Sequence, residues 1–323
     1  MLITIEPKAR PCPGVDRAIA LAEDLLRRGE VLYTVGQLIH NRREVERLEG
    51  LGLKQVNLEY LSDKGKRKLY NGKHFLVRAH GEQRDILQKI LAAGMHIVDA
   101  TCPIVRHSQE LVEHHVRDGW RIIIVGDKNH PEVVGLVARS EDNAVVISSA
   151  EEAKKQDFED RSLLLAQTTV DPVVFADIRR ILSGRLSGLK IADTACRFLR
   201  TRQNDITVFA KEQEALVFIG GKNSSNGRLL YQTAKGVNQR TVLVEGPSDL
   251  QPAAFRNFSR VGISGGASTP RWQLEEMRLY LENHKQDDNS GRSGSKGLNL
   301  KGLKNKKGGK ILWWMRRNPI KPE

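Results

Sequence analysis

The three cysteines of this chain stand at positions 12, 102 and 196, almost evenly spaced along 323 residues. Even spacing of a rare residue points to an internal repeat, and a repeat restricts a chain to copies of one supersecondary unit packed on one another. The surroundings agree. Ile97-Val98-Asp99-Ala100-Thr101-Cys102 resembles Ile191-Ala192-Asp193-Thr194-Ala195-Cys196, and each β-type run leads into an apolar-periodic helical stretch, at 105–116 and 202–211. The first copy, residues 2–5 and then Cys12, is looser but also leads into a periodic run at 15–26. Twenty-four residues after each cysteine a glycine (Gly36, Gly126, Gly220) closes another apolar run. A third run ends at His80, Thr168 and Ser264, which lie 68, 66 and 68 residues beyond their cysteines.

The pattern predicts an α/β fold of three similar units, each with a parallel sheet, arranged pseudo-threefold around a central metal cluster. The expected divisions are 1–98 with Cys12, 99–192 with Cys102 and 193–284 with Cys196, followed by a low-complexity tail at 285–323. Ligands of open α/β sheets bind beyond the carboxyl ends of the strands, which is where the cysteines and polar loops fall.

The charge of +13 belongs largely to the tail, where residues 285–323 hold 11 basic and 3 acidic side chains. It says little about what the folded body binds. An odd, sparse set of cysteines excludes a disulfide-stapled secreted scaffold. No export signal is visible, and no apolar run approaches the ~20 residues that cross a bilayer. A soluble chain in the cytoplasm is the expectation.

A cysteine that ends a strand and opens a helix has its thiolate favoured by the helix N-terminus. Three thiolates at one centre repel unless a cation complex sits between them. Zinc sites ordinarily show short spacings such as Cys-x₂-Cys, which are absent. An iron–sulfur cluster suits one sulfur ligand per unit, and with three ligands in place of four one iron stays open as a Lewis acid. A lone cysteine is otherwise a small buried hydrophobe, but the shared repeat position favours ligation here.

The polar loops suit an anion. Ser224, Ser225 and Asn226 follow Gly220-Gly221-Lys222-Asn223 and precede a helix start, where they can cradle phosphate or serve as an ordinary cap. Gly265 to Pro270, which contains Ser268, has the same two readings. His40, His80 and His130 fall in repeat loops, as phosphate donors or surface imidazoles. Glu132, after a proline-fixed turn, can deliver protons if burial raises its pKa, or can simply complement a helix dipole. His96, His107, His114 and His115 have no repeat partner and are expected at the surface.

These segments resemble the 4-hydroxy-3-methylbut-2-enyl diphosphate reductase family. The matching runs are Cys12-Pro13-Gly14-Val15-Asp16-Arg17-Ala18, Ile39-His40-Asn41, Arg78-Ala79-His80-Gly81-Glu82 and Asp99-Ala100-Thr101-Cys102-Pro103. They continue with His130-Pro131-Glu132-Val133, Gln167-Thr168-Thr169, Asp193-Thr194-Ala195-Cys196, Lys222-Asn223-Ser224-Ser225-Asn226 and Gly266-Ala267-Ser268-Thr269-Pro270. The resemblance spans residues 1 to about 284. It implies a 4Fe–4S cluster on Cys12, Cys102 and Cys196, and a diphosphate held by His40, His80, His130, Thr168, Ser224, Ser225, Asn226 and Ser268. It also implies Glu132 and Thr168 as the proton-supplying pair. The implied partners are a small diphosphate substrate and an external one-electron donor of ferredoxin or flavodoxin type, with no specific nucleic acid; the tail offers cations to an anionic surface. Pro11, Pro13 and Phe198-Leu199 depart from the commoner family pattern beside the cluster. The rival readings are a metal-stabilised RNA- or membrane-binding protein acting through its tail, with steep salt dependence, and a zinc hydrolase with Glu132 as base.

Overall fold

Among the described residues there are twelve short strands; the central ones are runs of Val, Ile, Leu and Ala, buried because helices cover both faces of their sheets, and parallel sheets need such covering. Ile122, Ile123, Ile124 and Val125 are at most 1% exposed, and burial of each stabilises by ~1.5–3 kcal/mol. A computed structural model describes residues 1–286. The basic tail expected at 285–323 lies outside the described residues beyond the end of the last helix, and so does its surface contact.

The strands form three parallel four-stranded sheets. The first contains β2 (Leu32–Thr34), β3 (Lys54–Gln55), β4 (His74–Val77) and β5 (His96–Asp99) in the order β3-β2-β4-β5. The second contains β6 (Arg121–Val125), β7 (Ala144–Ile147), β8 (Ser162–Ala166) and β9 (Lys190–Ala192) in the order β7-β6-β8-β9. The third joins β10 (Ala215–Ile219), β11 (Thr241–Val244) and β12 (Arg260–Gly265) to β1 (Leu2–Ile5) in the order β1-β12-β10-β11. The helices in chain order are α1 (Pro13–Arg27), α2 (Arg42–Gly50), α3 (Leu58–Ser62), α4 (Arg84–Ala92), α5 (Pro103–Arg117) and α6 (Pro131–Val137). They continue with α7 (Ala150–Lys155), α8 (Pro172–Ser183), α9 (Arg197–Lys211), α10 (Ser225–Val237) and α11 (Arg271–Gln286).

One strand departs from the division expected in the sequence. β1 pairs in register with β12, Leu2 opposite Arg260 through Ile5 opposite Ile263, so the start of the chain completes the third sheet and not the first. The reason is the repeat itself. β1, β5 and β9 are equivalent edge strands, each followed by a cysteine and then a helix that packs on the next sheet. Val15, Ala18 and Ala22 of α1 join the core of the first sheet with Leu32 and Leu76. Val112 of α5 packs with Ile122 and Ile124 of the second, and Ile206 and Phe209 of α9 with Leu216 and Phe218 of the third. Each cysteine thus sits where the chain passes from one lobe to the next, which brings all three to the meeting point of the lobes.

Candidate active site

The same backbone hydrogen bond is made at all three crossings. Cys12 N–H donates to the Ala267 carbonyl, Cys102 N–H to Ala79 and Cys196 N–H to Thr168, each at 2.9 Å. These bonds set the true register of the repeat. The residues equivalent to His80 are Thr169 in the second lobe and Ser268 in the third, and not the Thr168 and Ser264 that the spacing suggests. Ser264 lies inside β12, fully buried, with its hydroxyl donating to Glu6.

Cys12, Cys102 and Cys196 are free, half-buried N-cap residues of α1, α5 and α9 with no side-chain capping bond. A Cβ added at Gly14 would lie 3.0 Å from Cys102 Sγ, so the turn after the first cysteine closes directly on the second. Burial pushes the Cys12 thiol up to about 11, with Cys102 and Cys196 adding to the rise while the Val15 and Gly14 N–H groups oppose it. Burial also raises Cys196; the Leu199 and Phe198 N–H groups lower it, and Cys102 and Glu132 raise it further. The thiolate-favouring helix N-termini expected from the sequence are therefore present at these two cysteines, but burial outweighs them. Cys12 and Cys196, whose ionisation the neighbouring sulfurs disfavour, form with Cys102 a donor set that becomes favourable when a cationic centre is placed among them.

Glu132 sits in the first turn of α6, whose start is fixed by Pro131 and capped by His130. It is buried, and its carboxyl accepts the Thr168 N–H at 2.7 Å and the Thr168 hydroxyl at 2.6 Å. Burial raises its pKa to about 7, although both Thr168 bonds pull the other way. Its influence on Cys196 places it within electrostatic reach of that sulfur.

The three histidines converge. Their ring centroids lie 4.5 Å (His40–His80), 5.4 Å (His40–His130) and 5.3 Å (His80–His130) apart. His130 Nδ1 accepts the Glu132 N–H at 3.2 Å, so the neutral ring carries its proton on Nε2. His40 Nε2 and His80 Nδ1 are buried without a partner among the described residues. Ring nitrogens within 4.8 Å of one another would suit a metal ion. The electrostatics argue for an anion instead. Arg78 lies close enough to disfavour the charged form of all three rings, and Arg228 that of His40 and His130. Burial is the larger cause at each ring; it holds His80 well below the usual range and brings His130 down to about 4. The rings are neutral near pH 7, and the charges around them are the cations Arg78, paired with Glu82, and Arg228, with Asp127 opposing them at His130.

Lobe three closes on this group from the other side. Ser268 Oγ donates to the His40 carbonyl at 3.2 Å, and a Cβ at Gly221 would come within 2.7 Å of the same oxygen. Ser224 caps α10 by accepting the Gly227 N–H at 3.1 Å, and Asn226 Oδ1 accepts the Ala267 N–H at 3.0 Å. The capping role and the anion role are compatible, since each side chain keeps its donor free. Ser225 lines a cavity of about 610 Å³ with Asp127, Asn129, Gln167 and Arg228. That volume is in the range of small-molecule sites.

Sequence reasoning missed Arg78 and Arg228 as site residues, along with the Asn41–Gln273 pair. These two buried amides exchange hydrogen bonds at 2.9 Å in both directions and fix the residue after His40 to the start of α11. The spacing of Arg78, two before His80, was available as a signal; the Gln273 contact, 232 residues away, was not. His115, expected at the surface, is buried against Trp120 and bonds the Leu111 carbonyl one turn back.

The fold and the site define a three-lobed α/β protein whose lobes meet at three free thiols, beside a cluster of three histidines and a buried carboxyl. Residues 3–282 match the LytB protein family, and the chain belongs to that family. The chain is 36% identical over 278 residues to the 4-hydroxy-3-methylbut-2-enyl diphosphate reductase of Bacteroides thetaiotaomicron, covering 84% of this chain and 94% of that one. It is 34% identical over 284 residues to that of Aquifex aeolicus, covering 87% and 96%. A solved structure of (E)-4-hydroxy-3-methyl-but-2-enyl diphosphate reductase, described as the terminal enzyme of the non-mevalonate pathway, matches with TM-score 0.66 at 33% identity. That match covers 88% of this chain and all of the other. The Plasmodium falciparum reductase, at 22% identity and TM-score 0.77 over 87% of this chain and 88% of that one, shares the fold.

Proposed function

We propose that this protein is an iron–sulfur reductase that removes the allylic hydroxyl of 4-hydroxy-3-methylbut-2-enyl diphosphate. Two electrons and two protons are consumed, and isopentenyl and dimethylallyl diphosphate are formed with water. The observation that carries this reading is Glu132: a buried carboxyl that keeps a proton near neutrality, beside His130 and within electrostatic reach of Cys196. A hydroxyl leaves poorly without a proton, and a diphosphate needs many donors.

The residues present fit a 4Fe–4S cluster: three free thiols, one per lobe crossing, with ionisation of Cys12 and Cys196 disfavoured in its absence. Held by Cys12, Cys102 and Cys196, the cluster would supply single electrons and a Lewis-acidic iron for the hydroxyl oxygen. Around it the chain provides the rest. His40, His80 and His130 present neutral imidazoles to the diphosphate, backed by Arg78. Ser224, Ser225 and Asn226 offer hydroxyl and amide donors from lobe three, and Ser268 can turn its hydroxyl from the His40 carbonyl to the diphosphate. Glu132 holds a proton against Thr168, whose hydroxyl both accepts and donates and so can pass that proton to the departing oxygen. The electrons come from an external one-electron carrier, since the three cysteines are the only ones in the chain. A cytoplasmic location suits this chemistry, and no helix among the described residues is long and apolar enough to cross a membrane.

The test is anaerobic purification with iron and sulfide analysis, followed by turnover with dithionite-reduced methyl viologen. About four irons per chain, lost on Cys102→Ser, are expected. Stoichiometric zinc and activity without a reductant would overturn the reading in favour of a hydrolase.

A further inference from the structure

The diphosphate reading, on which this inference rests, takes donors from two lobes: His40 from the loop after β2 and Ser268 from the loop after β12. The residues that follow them bind each other. His40 leads into Asn41, which caps α2, and Ser268 leads into the first turn of α11. Asn41 Oδ1 accepts the Glu44 N–H at 3.0 Å, and this bond fixes which way the amide faces. Its Nδ2 then donates to Gln273 Oε1, and its Oδ1 accepts from Gln273 Nε2, both at 2.9 Å. Asn41 is 4% and Gln273 1% exposed, too little for water to take the place of either bond.

Cap and pair are separate roles. Capping α2 needs one acceptor, which Ser or Asp would supply as well. Pairing needs a donor and an acceptor on both side chains. A carboxylate or an aliphatic side chain at either position leaves part of that pattern unmet. The contacts beside the pair are of another kind. Arg43 meets Glu276 at 2.7 Å, but the two side chains are 25% and 36% exposed, and an ion pair so open to water holds little. The buried amides are thus the part of the α2–α11 contact with a demanding geometry. That geometry bears on the His40 ring. No hydrogen bond to the ring is found among the described residues, so its place is set by its backbone and by contact with the His80 and His130 rings. The backbone is held from two directions: Ser268 Oγ donates to the His40 carbonyl at 3.2 Å, and Gln273 holds the next side chain.

We propose that the Asn41–Gln273 amide pair is a positioning device for the diphosphate cradle. It sets the separation of His40 in lobe one from Ser268 in lobe three, so that donors of both lobes reach one anion. Neither amide touches the anion. Asn41 acts through the residue before it, and Gln273 through the loop that opens α11.

The test is calorimetric titration of the iron-loaded protein with pyrophosphate, in the wild type, in Asn41→Ser, in Gln273→Met and in the double variant. Asn41→Ser keeps a cap for α2 and removes the pair, and Gln273→Met keeps the length of the side chain and removes the pair from the other side. Each single variant should bind pyrophosphate about tenfold more weakly, the scale of one hydrogen bond. The double variant should bind no more weakly than either single one, because the same interaction is lost only once. Glu276→Gln, which opens the exposed ion pair alongside, should bind within about twofold of wild type. Iron content should hold throughout, and the KM for the allylic diphosphate should rise by more than kcat falls. Wild-type affinity in both single variants would overturn the proposal and leave the pair as packing. Additive losses in the double variant, or iron lost in parallel with affinity, would overturn it too. Wild-type protein that binds no pyrophosphate would overturn the diphosphate reading and this proposal with it, whereas wild-type binding that survives in the variants overturns the proposal alone.

Discussion

Glu132 and Thr168 are joined twice: the carboxyl accepts the backbone N–H at 2.7 Å and the hydroxyl at 2.6 Å. The pair links α6 to the loop after β8, and that loop's Thr168 carbonyl also receives the Cys196 N–H. The candidate proton donor and the candidate metal ligand are therefore held by one residue of backbone.

Glu132→Gln keeps the shape and removes the proton. Turnover should fall by ~10²–10⁴ with iron content unchanged, the usual size of a general-acid effect. In the wild type the rate should decline as pH rises through about 7, where the carboxyl ionises. The raised pKa also bears on stability. Relative to an unfolded value near 4.5, this group's contribution is full below that value and lost as pH rises through about 7. The melting temperature of the Gln variant, relative to wild type, should therefore increase from acid to alkaline pH. A constant difference would contradict the raised pKa.

Thr168→Val removes the hydroxyl bond but leaves the N–H bond. Because both bonds hold the Glu132 pKa down, the alkaline limb of the kcat profile should move to higher pH. Turnover should fall as well, since the relay hydroxyl is gone. An unmoved limb with reduced turnover would leave Thr168 a contact to substrate and not a tuner of Glu132.

The histidine triad predicts proton uptake. All three rings are held neutral in the free protein by burial, with Arg78 contributing. A bound diphosphate supplies the missing negative charge and favours imidazolium. Pyrophosphate should bind more tightly as pH falls from ~8 to ~6 and take up protons as it does so. Calorimetry in buffers of different ionisation enthalpy measures this directly; no uptake would mean that the rings do not face the anion.

Gly221→Ala should disturb the anion cradle without touching the thiols. The new methyl would stand 2.7 Å from the His40 carbonyl oxygen, which is backbone and cannot swing aside. Overpacking of this kind costs ~1–3 kcal/mol. Pyrophosphate affinity should drop about tenfold on the same scale, and iron content should not change.

The repeat made much of this site legible before any coordinates. Cysteine spacing and the glycines that close β2, β6 and β10 located three lobes and their shared centre, because each lobe solves the same packing problem with the same order of strand, cysteine and helix. Loop positions were less certain. Equal spacing points to Thr168 and Ser264 where the register has Thr169 and Ser268, because β12 both starts later after its cysteine and runs longer than β4 or β8, and counting residues cannot see where a strand stops. Arg78 was visible in a motif but had no function attached, since its effect depends on three rings from different parts of the chain.

Local order along the chain determined the strands, the helix starts at Pro13, Pro103 and Pro131, and which residue types were available for metal, anion and proton. Those depend on neighbours a few residues away. Tertiary structure alone decided that β1 closes the third sheet, that Gln273 grips Asn41, and that burial rather than the helix N-termini governs the Cys12 and Cys196 thiols and the Glu132 carboxyl. Desolvation is set by everything packed around a group, and most of what surrounds Glu132 and the cysteines comes from segments tens to hundreds of residues away.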